Sequence, residues 1–123
     1  MLTITLANGK TYPVLQNTAV YPSGSSAVRS YMEIYMEETA MSVAAFEKLF
    51  AAPENTAEIH LVNNESASDI GYFNYSIVAN VGKKRIRHTD LTTGKSTETM
   101  ALYVRLEQLT YIEQQLVKLG ISV

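Results

Sequence analysis

Gly94-Lys95-Ser96 has the residue types that close a phosphate-binding P-loop. In that motif backbone amides and a lysine hold phosphate at a helix N-terminus. The motif also needs a first glycine at position 89, where this chain has Thr89. It needs a helix from Lys95 onward, yet Thr97, Thr99, Ala101 and Tyr103 alternate with Glu98, Met100, Leu102 and Val104. That period belongs to a strand, so the triplet reads as a β-turn and not as a nucleotide site. The two histidines offer little more. His88 and Asp90 share one strand face, but a metal site draws on a larger set of ligands. His60 lies between apolar residues on a strand and is expected to face solvent. The serines of "PSGSSA" lack the G-x-S-x-G elbow of an activated nucleophile. Glu37 and Glu38 are adjacent on a strand and point to opposite faces. No constellation meets the geometric demands of catalysis, so the chain reads as a non-enzyme with no cofactor or metal.

The strongest local charge is "KKRIRH", residues 83–88. Lys83, Arg85 and Arg87 share one strand face. A hairpin turning at 91–95 is expected to bring Tyr103 and Arg105 to the same side. Cations beside an aromatic ring can bind single-stranded nucleic acid. They also serve as a solvated edge that blocks unwanted strand pairing. The net charge of -2 favours the edge, or a protein partner, over a polyanion. A second candidate face lies on "VRSYMEIYMEE", where Val28, Met32, Ile34 and Met36 alternate with Arg29, Tyr31, Glu33, Tyr35 and Glu37. Lys83, Arg85, Arg87, Tyr103, Tyr31 and Tyr35 are therefore the candidate interaction surface. Eight tyrosines and no tryptophan supply the amphipathic contact area that interfaces favour.

These residues need a frame. "LTITL" alternates as a half-buried strand, Asn8-Gly9 suits a type I′ turn, and "KTYPVLQN" returns with Pro13 marking an open edge. "YPSGSSA" is the most flexible stretch by composition. Val43, Phe46, Leu49 and Phe50 form a helical stripe, with Ser42 as N-cap and Pro53 ending the helix. "TAEIHLVN" resumes strand spacing, and "IGYFNYSIVANV" reads as one long strand broken by Gly82. Leu109, Ile112, Leu116 and Leu119 are a candidate helix interface on an amphipathic C-terminal helix, with Gly120 at its cap. The sum is a single α+β domain over 1–123. It is mainly antiparallel β-sheet, sandwich-like, with one mid-chain helix and one terminal helix. The terminal seam lasts under two heptads, too short for a freestanding coiled coil. It must lie on its own sheet, the favoured case, or on another subunit.

Length and composition bound the rest. At 123 residues with 46% hydrophobic and 18% charged residues, the chain suits one buried core. It has no cysteine, which excludes disulfides and zinc–thiolate sites. "MLTITLANGK" lacks the charged region and long apolar run of a signal peptide, and no segment has the length of a membrane span. Charge divides along the chain. Residues 1–70 carry eight acids against three bases, or -5; residues 71–123 carry four against seven, or +3. Such halves can meet within one copy or between copies, head to tail.

The segments "RLEQLTYIEQQLVKLGI" and "MSVAAFEKLFAAPENTAEIHLV", with the opening "ITLANGKTYPV", resemble short open reading frames in tail-gene clusters of phages and prophages of Gram-positive gut bacteria. The resemblance implies a tail or other virion structural protein, assembled in the host cytoplasm. Its partners would be copies of itself or other particle proteins. It carries over no functional residues. The other reading is a phage-encoded nucleic-acid- or host-protein-binding module that uses the basic strand 83–88.

Overall fold

The computed structural model describes residues 2–23, 29–89 and 91–120. Val28 and Asp90, the tip of the small-residue loop and the His88 side chain lie outside the described residues. The described chain is built from antiparallel hairpins, as expected for an α+β domain. β1 (Leu2–Thr5) and β2 (Thr11–Pro13) form the first, and β3 (Ala19–Tyr21) and β4 (Tyr31–Glu37) the second. After α1 (Val43–Ala51) and α2 (Pro53–Thr56), β5 (Glu58–Asn63) pairs with β6 (Ser68–Phe73). Then β7 (Ile77–Thr89) pairs with β8 (Ser96–Glu107), and α3 (Tyr111–Lys118) closes the chain.

The hairpins are dealt alternately to two four-stranded sheets, ordered β2-β1-β5-β6 and β3-β4-β8-β7. In both sheets the first strand unit meets the second through an antiparallel central pair, β1 with β5 and β4 with β8. The chain therefore repeats its topology: four strands and a helical segment, then four strands and a helix. This repeat is absent from the sequence pattern. It makes α1 and α3 topological equivalents.

One core lies between the sheets. Met32, Ile34 and Met36 from β4 meet Leu102, Val104 and Leu106 from β8, as the alternation predicts. Ile4 and Ile59 face them from the other sheet. Phe46 and Phe50 of α1 enter the same core with rings edge to face at 5.0 Å. Ser42 caps α1, its Oγ accepting from the Ala45 N–H at 3.1 Å.

Several details differ from the sequence reading. Asn8-Gly9 is not a type I′ turn, because only Gly9 takes positive φ, at 85°. The Leu6 N–H donates to the Lys10 carbonyl at 3.0 Å, so a three-residue loop closes the hairpin. Pro13, by contrast, lies on an edge strand as expected, where its missing N–H costs no ladder bond. Ala19–Tyr21 is a short strand that the sequence reading did not place, and it takes in Tyr21, the first residue of the small-residue loop. Pro53 opens α2 as well as ending α1. Residues 70–81 are not one strand. Asn74 sits at φ 65°, and there the chain leaves the first sheet for the second. Gly82 does not break the strand, which runs on to Thr89. Among the described residues no helix is long and apolar enough to cross a membrane.

Candidate interaction surfaces

The expected surface divides by strand register. Gly82 pairs with Tyr103, Lys83 with Leu102, Lys84 with Ala101 and Arg85 with Met100. Directly opposed residues share a face, so Lys83, Arg85 and Arg87 lie on the face of Leu102, Met100 and Glu98. Tyr103 and Arg105 lie on the other. The expectation that they join the basic run is thereby corrected. The cause is the even six-residue connection 90–95, which fixes odd residues of β7 against even residues of β8. A bulge between Val78 and Asn80 confines that register to the outer part of β7. Gly94, at φ 71°, belongs to this connection, and Ser96 opens a strand instead of a helix.

Lys84 is the cation that meets the tyrosines. Its Nζ donates to the Tyr35 hydroxyl at 3.3 Å and stands 4.8 Å from the centre of the Tyr103 ring. Tyr35 and Tyr103 are cross-strand partners with ring centres 5.1 Å apart. The Tyr103 hydroxyl donates to Glu33 Oε2 at 2.6 Å. Burial, then the bonded Glu33 carboxylate, pushes the Tyr103 hydroxyl far above its ordinary range. Hydrogen bonding to Tyr35 raises the Lys84 ammonium. Further along the face, the Arg105 guanidinium lies 3.8 Å over the Tyr31 ring, which stacks on Tyr21 at 4.8 Å. Tyr35 and Tyr103 are buried in this layer, with Leu15 and Ile86 against them. They hold the outer face together, whereas Tyr31 and Tyr21 keep area for contact. Lys84 was not expected beside these tyrosines, whereas Arg105 was expected beside Tyr103. Alternation did place Glu33 beside Tyr31 and Tyr35, but only the register of β8 reveals the network.

The basic run is partly paired locally. Arg85 and Arg87 reach opposite oxygens of Glu98, at 3.5 and 3.1 Å, and Lys83 stands 3.8 Å from Glu38. His60 lies half-exposed on the outer face of the first sheet. Its Nδ1 is 2.7 Å from Asp69 and its Nε2 is 3.0 Å from Glu58. Those carboxylates, Glu58 first, raise the imidazole above its ordinary 6.5. Gly71 opposite leaves the ring room: a Cβ there would come within 3.1 Å of it.

The C-terminal seam is the larger surprise. Leu109 is buried and Leu116 is half-buried, but Ile112 is 70% and Leu119 74% exposed. Tyr111 and Val117 are exposed as well. The favoured expectation, a helix completing its own core, is therefore not met. The physical reason lies in what docks the helix, which is polar. Thr110 and Glu113 form a capping box. Arg29 forks onto Glu113, Nη1 to Oε1 and Nη2 to Oε2, and also donates to the Gln108 carbonyl at 3.1 Å. The Leu109 N–H reaches the Asn74 carbonyl at 2.8 Å, and Gln108 Nε2 reaches that of Phe73 at 3.0 Å. The Arg29 fork holds the Glu113 carboxyl down at about 2. Gly120, at φ 79°, ends the helix as its cap position predicts.

Comparison of the chain with protein-family models, with curated proteins and with solved structures finds no match.

Proposed function

We propose that the protein is a non-catalytic structural or assembly component that works through protein–protein contacts, first of all with copies of itself. The reading is carried by one observation: α3 is capped and ion-paired in a fixed place, yet it turns Ile112 and Leu119 to solvent. A helix this short is marginal in water by itself. Fixing it with its apolar side outward is useful to a chain that buries that side in a neighbour. The divided charge of the chain favours a second copy as that neighbour. The pairing of Arg85 and Arg87 with Glu98 weighs against a polyanion on the basic strand.

The narrower assignment, a part of a phage tail or other particle structure, rests on the resemblance of the helix and core segments. Light scattering tests both levels, on the chain alone and mixed with the products of neighbouring genes. The reading expects masses above the monomer that fall toward the monomer when Ile112 or Leu119 becomes aspartate. A strict monomer that binds none of those products contradicts it.

A further inference from the structure

The β7–β8 hairpin outruns the sheet that carries it. β4 flanks β8 only from Tyr31↔Glu107 to Glu37↔Ala101, whereas β7 continues beside β8 to Thr89↔Ser96. Beyond Ala101 the hairpin is a two-stranded ribbon, and among the described residues no third strand flanks it on either side. Two strands without a third are marginally stable in water. On the side that β4 vacates lies a cleft of about 470 Å³, lined by Leu15, Gln16, Glu37, Glu38, Ile86 and Met100 among others. It is a notch in a sheet, walled by the end of β4, with one strand edge along its side.

We propose that this notch receives the outer edge of β7 from a second copy, extending the sheet from molecule to molecule, head to tail. The inference rests on the self-association proposed above and adds a second contact to the one at α3. An added strand supplies main-chain hydrogen bonds along the edge, and its alternate side chains meet the walls. Charge selects which strand. At the notch Lys83 stands 3.8 Å from Glu38, and Glu37 has no cationic partner among the described residues. On the ribbon Arg85 and Arg87 share one carboxylate, Glu98. One cluster is a positive charge short and the other a negative charge short. Within one copy Lys83 of β7 reaches this cluster at Glu38, whereas Arg85 and Arg87 are held at Glu98, which leaves Glu37 for a cation from a second copy. Cations on a bare edge discourage indiscriminate pairing, and they admit a partner that carries the matching carboxylate. The contact uses different patches on the two copies, so it propagates instead of closing as a simple two-fold pair.

Sedimentation equilibrium tests this with wild-type protein and with the variants Glu37→Arg and Arg87→Glu. Each variant should self-associate about tenfold more weakly, as loss of one close charge pair implies. Mixed together, they should bind each other with wild-type strength. The Arg87→Glu copy still offers an intact notch, and the Glu37→Arg copy an intact β7 edge. If the wild type associates but both variants match it, or if the mixture is no stronger than either variant, the head-to-tail contact is wrong and self-association stands. If the wild type is monomeric at every concentration, self-association itself fails and this contact with it.

Discussion

α1 and α3 occupy equivalent places in a repeated topology, and both are N-capped by a hydroxyl side chain. Their apolar residues meet opposite fates. Phe46 and Phe50 of α1 vanish between the sheets, whereas Ile112 and Leu119 of α3 face solvent. The difference teaches that a helical stripe specifies an apolar face but not its cover. α1 crosses from β4 to β5, so the chain on both sides of it is committed to the core. α3 is anchored through Gln108 and Leu109, and the ties there to Asn74, Phe73 and Arg29 are polar. The first helix is part of the fold, and the second is an attachment on it.

The sharpest break between them is energetic. Phe46→Ala removes a fully buried ring and should destabilise the domain by roughly 3–5 kcal/mol, read as a large drop in urea midpoint. That cost is of the order of a small domain's whole stability. A loss near zero would remove α1 from the core and erase the contrast.

Glu113→Gln should act on α3 alone. It removes the charge and one acceptor oxygen of the Arg29 fork, while the amide Oε1 can still accept from the Thr110 N–H. The pair is partly exposed, so the expected loss is only about 1 kcal/mol. Amide exchange should speed up over 111–118 and stay unchanged in β4 and β8.

Acid sharpens the same contrast. The Glu113 carboxyl sits at about 2 in the folded chain against an ordinary 4.5. A lowered folded value stabilises fully above 4.5, and that contribution is lost as pH falls from about 4.5 to about 2. A carboxyl NMR titration should show the low midpoint, and Arg29→Met should return it toward 4.5. An unchanged midpoint in that variant would remove the fork as the cause.

Ile112→Asp should change monomer stability least, within about 0.5 kcal/mol, because the site is exposed. Its effect should fall on association instead. A large loss of stability would mean that α3 is buried in its own domain after all.

The sequence made the core strands legible because alternation survives burial on one face. Met32, Ile34 and Met36 need no neighbour to declare their side. The Ser42 cap was legible for the same local reason. The outer face of β8 was not, because it depends on the parity of the 90–95 connection, and one residue more would exchange the partners of Tyr103. Asn74 was missed because a left-handed residue inside an aromatic-rich run leaves no compositional mark. The repeated topology is a matter of pairing alone, and the Arg29–Glu113 fork joins residues at opposite ends of the chain.

In the proposed assembly another copy covers the outward side of α3. Hydrogen–deuterium exchange over residues 111–119, measured across a range of protein concentrations, tests it most directly. The account predicts slow exchange there that grows in step with the associated fraction, and fast exchange at every concentration in Ile112→Asp. Exchange that stays fast while the wild-type mass rises would contradict it, because assembly would then proceed through surfaces that leave α3 bare.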